Sequence, residues 1–145
     1  MKIVFICTGN TCRSPMAAFF MRDQVRKRQI KGVRVSSSGL YVEENSFTDA
    51  KAVAAVKKLG VFARKTKARQ LPLDDLFSAD LIITMTDKHK QSLSFLRRGE
   101  IYTLDELTGA GEIPDPYGGS QAVYDLTAER IYSAVKKLAD CIFNQ

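Results

Sequence analysis

Cys7-Thr8-Gly9-Asn10-Thr11-Cys12-Arg13-Ser14 joins an apolar run, Lys2 to Ile6, to a segment that opens Ser14-Pro15. Those residue types at that spacing suit sulfur chemistry on an anion. A cysteine attacks as its thiolate, and the positive end of a helix favours that form. The backbone N–H groups of Thr8 to Arg13 can curl around a phosphate dianion. Arg13 adds a planar fork that matches two phosphoryl oxygens. Gly9 and Asn10 tolerate the positive φ that a tight curl asks for. Ser14 can donate a hydrogen bond to the sulfur and stabilise it as thiolate and leaving group. Cys7 is therefore the candidate nucleophile, and Thr8 to Ser14 the candidate phosphate-binding residues.

A thiolate attacking phosphorus needs an acid for the departing group. Asp115 fits best. It stands between Pro114 and Pro116, which stiffen it, on a loop rich in turn formers from Thr108 to Gly119. The other acids fall at expected caps (Asp49, Asp87) or on expected helix surfaces (Asp23, Asp140). His89 is the only histidine and reads as a surface or capping residue, so a Cys-His dyad or a histidine-rich metal site has little support.

The elements that must position these groups alternate. Lys2 to Ile6 reads as a buried parallel strand. Ser14 as N-cap and Pro15 as first residue open a helix with a stripe of Met16, Ala17, Phe20, Met21 and Val25. Val33 to Ser37 is a second strand, closed by Gly39. Thr48 caps a helix through Leu59, with Gly60 beyond it. Leu73 to Phe77 is a short helical turn. Leu81 to Met85 is a third strand, and Asp87 caps a helix to about Phe95. Ile101 to Leu104 is a fourth strand. The last helix runs from about Ser120 to Ile142, with Val123, Leu126, Ile131, Val135 and Leu138 inward. This order predicts one α/β domain over residues 1–145, a parallel sheet with helices on both faces. Ligands of such sheets sit beyond the carboxyl ends of the strands, where Cys7 falls.

Composition restricts the alternatives. With 45% apolar and 26% charged residues the chain has the make-up of an ordinary globular domain, which argues against disorder or a fibre. The net charge of +6 suits an anionic ligand or partner, although a solvated basic surface is the favoured reading of it; no nucleic-acid partner is expected. The opening run is too short for a membrane span, and neither end carries a lipidation signal. A cytoplasmic monomer without membrane contact is expected. Three cysteines make no disulfide framework. Cys141 reads as a core residue of the last helix. The basic run Arg64 to Arg69 reads as an exposed loop face.

Cys7 to Pro15, Ala68-Arg69-Gln70-Leu71 and Asp115-Pro116-Tyr117 together resemble the low-molecular-weight protein tyrosine phosphatases over nearly the whole chain. The resemblance implies a flavodoxin-like, four-stranded parallel sheet and a metal-free, cofactor-free reaction through phosphocysteine. It implies Cys7 as nucleophile, Arg13 as transition-state clamp and Asp115 as general acid and then base. Asn10, Ser14 and Ser37 match residues that hold the loop. It also implies a reversible Cys7–Cys12 disulfide that guards the nucleophile; a small loop residue facing the core is the other reading of Cys12. Thr66 stands where many members carry a histidine. Tyr117 is expected to line the substrate entrance.

Two departures bear on substrate. Thr11 replaces a larger aliphatic residue, and Gly118 replaces a second aromatic, so a phenyl ring loses apolar wall. Thr11 leaves room for a wider planar group and offers it a hydroxyl. Together with Met85-Thr86, His89-Lys90 and Asp115-Pro116-Tyr117-Gly118-Gly119, these strings resemble the protein arginine phosphatase branch. The expected substrates are proteins carrying phosphoarginine; the alternative is phosphotyrosine. Arsenate reduction needs further relay cysteines, and none lies between Cys12 and Cys141. A non-catalytic phosphate or nucleic-acid binder would not need Cys7, Arg13 and Asp115 together.

Overall fold

Four short strands carry the apolar runs into one sheet. In the computed structural model, which describes residues 1–96 and 100–143, these are β1 (Lys2–Cys7), β2 (Arg34–Gly39), β3 (Leu81–Thr84) and β4 (Ile101–Thr103). All pair in parallel, in the order β2-β1-β3-β4. The helices are α1 (Arg13–Lys27), α2 (Ala50–Lys58), α3 (Leu73–Ser78), α4 (Asp87–Leu93), α5 (Leu104–Thr108) and α6 (Gln121–Phe143).

Alternation along β1 explains its unbroken apolar sequence. Ile3 and Phe5 enter a core with Met16, Phe20, Ile131 and Val135 from α1 and α6. Val4 and Ile6 point the other way, toward Leu76, Leu93 and Ile101. Both faces are covered, so neither can be polar. The chain steps from β1 outward to β2, then crosses to β3 on the opposite side. The carboxyl ends of β1 and β3 thus part around a crevice, and Cys7 stands in it.

Several local expectations shift by a residue or two, each for a visible reason. Helix α1 begins at Arg13, with Cys12 in the capping position and no side-chain cap; the Ser14 hydroxyl faces the Cys7 sulfur instead. Asp49, not Thr48, caps α2 by accepting from the Lys51 N–H, because Thr48 is bonded to Thr66. Thr86, not Asp87, caps α4. Helix α5 was expected as strand end and loop; Thr103 and Glu106 form a reciprocal capping box there, and Gly109 ends it with a positive φ of 73°. On α6 the first turns bury Tyr124, Thr127 and Ala128, while Val123 and Leu126 are exposed. Cys141 is exposed rather than core. The Asn144-Gln145 end lies outside the described residues.

Candidate active site

The segment after β1 is held from outside. The carbonyls of Cys7 and Thr8 accept from the N–H groups of Leu40 and Tyr41, at 3.1 and 2.9 Å. The Thr11 carbonyl accepts from Asp49 at 2.9 Å, and Cys12 from Met16 at 3.2 Å. Among the described residues, nothing inside the fold accepts from the N–H groups of Gly9 to Arg13. A loop with its carbonyls turned out and its N–H groups unused is built for an oxyanion.

Asn10 is the hub of that loop. It alone among these residues takes a positive φ, 55°. Its Oδ1 accepts from the Arg69 N–H at 2.9 Å, which fixes the amide orientation. Its Nδ2 then donates to Ser14 Oγ at 2.8 Å and to Ser37 Oγ at 2.9 Å. A serine hydroxyl has one proton. With Asn10 donating into Ser14, that proton is directed at the Cys7 sulfur 2.8 Å away, the Ser38 carbonyl being farther at 3.4 Å. Gly9 does not adopt the expected positive φ, and an added Cβ there meets only the Thr11 hydroxyl, at 3.9 Å. The glycine the loop requires is Gly39. A Cβ there would fall 2.7 Å from the Thr8 carbonyl oxygen and 3.0 Å from the Asn10 nitrogen. It would also meet the Val42 side chain at 2.7 Å, but the contacts that concern the site are with the loop after β1, and no pattern around Gly39 marks them.

Arg13 is buried at 5% exposure and bridges two loops. Its Nη1 donates to the Ile113 carbonyl at 3.0 Å, and its Nη2 lies 3.8 Å from Asp115 Oδ2. The structure therefore brings Asp115 to the loop's arginine. Asp115 keeps about half of its side chain exposed, and its other oxygen accepts from the Tyr117 N–H at 3.1 Å. The Tyr117 ring stands 76% exposed.

His89 is buried, against expectation. Its Nε2 is 2.8 Å from the Thr8 hydroxyl and its Nδ1 3.0 Å from the Thr86 hydroxyl. Burial, with the Arg13 charge adding to it, lowers its pKa to about 4, so the imidazole is neutral at pH 7. The signal for this lay in the Thr86-x-x-His89 spacing, which a helix cap uses, but its link to Thr8 is a long-range contact.

On the far side of the loop, Tyr124 donates to Asp49 Oδ2 at 3.2 Å and lies 3.4 Å from Cys12 Sγ. Burial pushes both the Cys12 thiol and the Tyr124 hydroxyl up, so both stay protonated at neutral pH. Thr66 bonds the Thr48 hydroxyl at 2.8 Å, next to the Asp49 that holds Thr11. Among the described residues no group of three His, Cys, Asp or Glu side chains is arranged to hold a metal ion.

The family model for low molecular weight phosphotyrosine protein phosphatase matches residues 2–145. The chain belongs to that family. Its fold agrees: a YwlE arginine phosphatase, a cysteine-to-serine mutant with a phosphorylated active-site serine, superposes with a TM-score of 0.92 at 32% identity, covering 100% of this chain and 97% of that one. The low molecular weight protein tyrosine phosphatase of T. tengcongensis gives 0.90 at 34% identity, covering 98% and 99%. Among curated relatives, the low molecular weight protein-tyrosine-phosphatase PtpB of Staphylococcus epidermidis is 36% identical over 95% of this chain and 96% of its own length. The protein-arginine-phosphatase of Bacillus subtilis is also 36% identical, over 96% and 95%. The chain is thus a hydrolase of the protein phosphatase class. Equal identity to both kinds of relative leaves substrate choice to particular residues.

Proposed function

We propose that this phosphatase hydrolyses phosphoarginine in proteins. The Cys7 thiolate attacks phosphorus, forming an S–P bond as the P–N bond breaks, while Asp115 gives its proton to the departing guanidine nitrogen. The freed Asp115 carboxylate then takes a proton from water as that water attacks phosphorus, releasing phosphate and the thiolate. The N–H groups of the loop and Arg13 neutralise the equatorial oxygens throughout. Ser14, with its proton aimed at the sulfur, stabilises the thiolate as nucleophile and leaving group.

The observation that carries the substrate reading is Thr11. It is half-buried on the loop, with only a 3.6 Å contact from its hydroxyl to the Cys12 sulfur, so the hydroxyl is available to a planar polar group. The second reading, phosphotyrosine, draws on the staphylococcal relatives' name and on the exposed Tyr117 ring beside Asp115. Relative kcat/KM on phosphoarginine and phosphotyrosine peptides separates the two. We expect phosphoarginine to lead by about tenfold or more, and Thr11→Ile to move the ratio toward phosphotyrosine. A tenfold lead for phosphotyrosine in the native protein overturns the reading.

Cys12 is proposed as the resolving thiol. Peroxide oxidises Cys7 to the sulfenic acid; Cys12 displaces water from it to form the Cys7–Cys12 disulfide, which a thiol reductant reopens. No described helix is long and apolar enough to cross a membrane.

A further inference from the structure

A cavity of about 780 Å³ lies between α1, the edge strand β2 and the segment 61–69. The chemistry above does not use it. One part of its lining is apolar, formed by Pro15, Phe19, Val61 and Phe62. Phe62 is 74% exposed, an aromatic ring left open to solvent. The cationic part holds Arg22, Arg26, Arg64, Lys67 and Arg69.

Counter-charges meet only some of these cations. Arg26 pairs with Asp23 at 2.9 Å, and Arg69 with Asp75 at 2.8 Å. Asp23 is the one carboxylate on the lining, and Lys27 holds its other oxygen at 2.9 Å. Arg22 directs its donors to the Val35 carbonyl, a neutral acceptor, at 3.2 and 2.9 Å. Arg64 and Lys67 form no ion pair or side-chain hydrogen bond among the described residues. The Ser36 hydroxyl, in the same lining, is sealed from solvent with no partner. Like charges gathered without a counter-ion focus a positive field on whatever enters.

Size and lining narrow the ligand. Pockets of some 300–1,000 Å³ hold small molecules, with a mostly apolar wall and a few polar groups for orientation. A bare phosphate would leave Phe62 and Val61 unused. A purely aromatic ligand would leave the cations unmatched. We propose that this cavity binds a nucleotide, its phosphates facing Arg22, Arg64 and Lys67 and its base lying against Phe62. The site reaches the phosphate loop directly. Asn10 and Ser37 line the cavity and share a 2.9 Å hydrogen bond, and Arg69, also on the lining, holds Asn10 through its N–H. An occupied cavity pins these contacts and so raises kcat/KM; this coupling, unlike the binding, rests on the phosphatase reading of the loop.

The test is calorimetric titration of ADP into the Cys7→Ser protein, which needs no turnover. ADP should bind equally with Arg13→Ala added, since Arg13 is not on the cavity lining. Arg64→Glu with Lys67→Glu should weaken binding by about tenfold or more, while leaving turnover of a small aryl phosphate unchanged in the Cys7 protein. Adenosine and inorganic phosphate, each measured in the Arg13→Ala background, should each bind at least about tenfold more weakly than ADP. In the active protein, ADP should raise kcat/KM, and the charge-reversed pair should not respond. Absence of ADP binding at millimolar concentration overturns the site. Binding lost with Arg13→Ala yet kept in the charge-reversed pair places the nucleotide in the phosphate loop and also overturns it. Inorganic phosphate matching ADP removes the base from the proposal. A single-stranded oligonucleotide that binds tighter than ADP, and loses affinity with Lys2→Glu and Arg34→Glu in the adjoining groove, replaces the nucleotide with a nucleic acid. None of these binding results bears on whether Cys7 is the nucleophile.

Discussion

The two loops that meet at Arg13 are built on opposite plans. The phosphate loop is tied along its length: the Leu40 and Tyr41 N–H groups just after β2 donate to its first carbonyls, the Asp49 N–H donates to the Thr11 carbonyl, and Asn10 links it to Ser14, Ser37 and Arg69. The acid loop from Gly109 to Gly119 is fixed at its root, where Ile113 is buried and accepts from Arg13. Asp115, the proposed acid, stays half exposed, with a turn bond to Tyr117 and a 3.8 Å approach to Arg13. The contrast fits the tasks proposed for them. An anion site gains most from dipoles that need no reorganisation. A group that must meet leaving groups of several shapes, and then a water, gains from access.

Cys7→Ser should break the comparison most completely. Turnover should fall by about 10⁴-fold or more, while phosphate still binds the loop, read by steady-state kinetics and phosphate titration. Asp115→Asn comes next. We expect kcat to drop by roughly 10²–10⁴-fold, with a larger loss on a poor leaving group than on an activated aryl phosphate, and an unchanged melting temperature. Equal losses on both substrates would remove the acid role.

Asn10→Ala should affect stability and turnover together, which Asp115→Asn does not. The change deletes three hydrogen bonds and leaves alanine at a φ of 55°. At about 1 kcal/mol for each bond and 1–2 for the backbone, urea unfolding should show a loss of about 4–5 kcal/mol. Gly39→Ala should act on the same loop from β2. Its Cβ would fall within 2.7 Å of the Thr8 oxygen, and we expect a loss of about 1–3 kcal/mol with a raised KM.

The last effect concerns pH and leaves stability at pH 7 alone. His89 is buried neutral with its pKa lowered to about 4 from an ordinary 6.5. Below the ordinary value the unfolded chain takes up the proton first, so His89 withdraws stability as pH falls through that window and withdraws nothing above it. The full shift corresponds to about 3 kcal/mol, of which only a part is lost by pH 5. His89→Gln should flatten the stability curve between pH 6.5 and 4.5 in urea titrations. An unchanged slope would mean that His89 is not held neutral.

Much of the framework was legible because it is local. The strand runs, the Ser14-Pro15 opening, the Gly60 and Gly39 stops and the Pro114-Asp115-Pro116 stiffening are short-range patterns, and their elements lie within a residue or two of where periodicity puts them. Caps were less legible. Thr48, Asp49, Thr86 and Asp87 all have capping side chains, and which of each pair acts depends on what else competes for the hydroxyl. Stripe assignment failed at Val123 and Leu126, because the first turns of α6 face the phosphate loop through Tyr124 rather than a general apolar core. Cys141 failed for a similar reason: an apolar-looking residue near a helix end falls on the solvent side.

The sequence by itself marked the loop from Cys7 to Ser14 as the candidate anion site, since candidate nucleophile, backbone donors and arginine are contiguous and a strand and a helix flank them. It also marked Asp115 as the acid candidate through its two prolines. Only the tertiary structure decided what holds these parts. Gly39 must lack a side chain, His89 must stay neutral under Thr8, and Arg69 must lend its N–H to Asn10, yet none is near the loop in sequence. Parallel strands return every connection to the same edge of the sheet, so residues thirty to eighty positions away converge on the end of β1. That convergence is a property of topology, and no local pattern carries it.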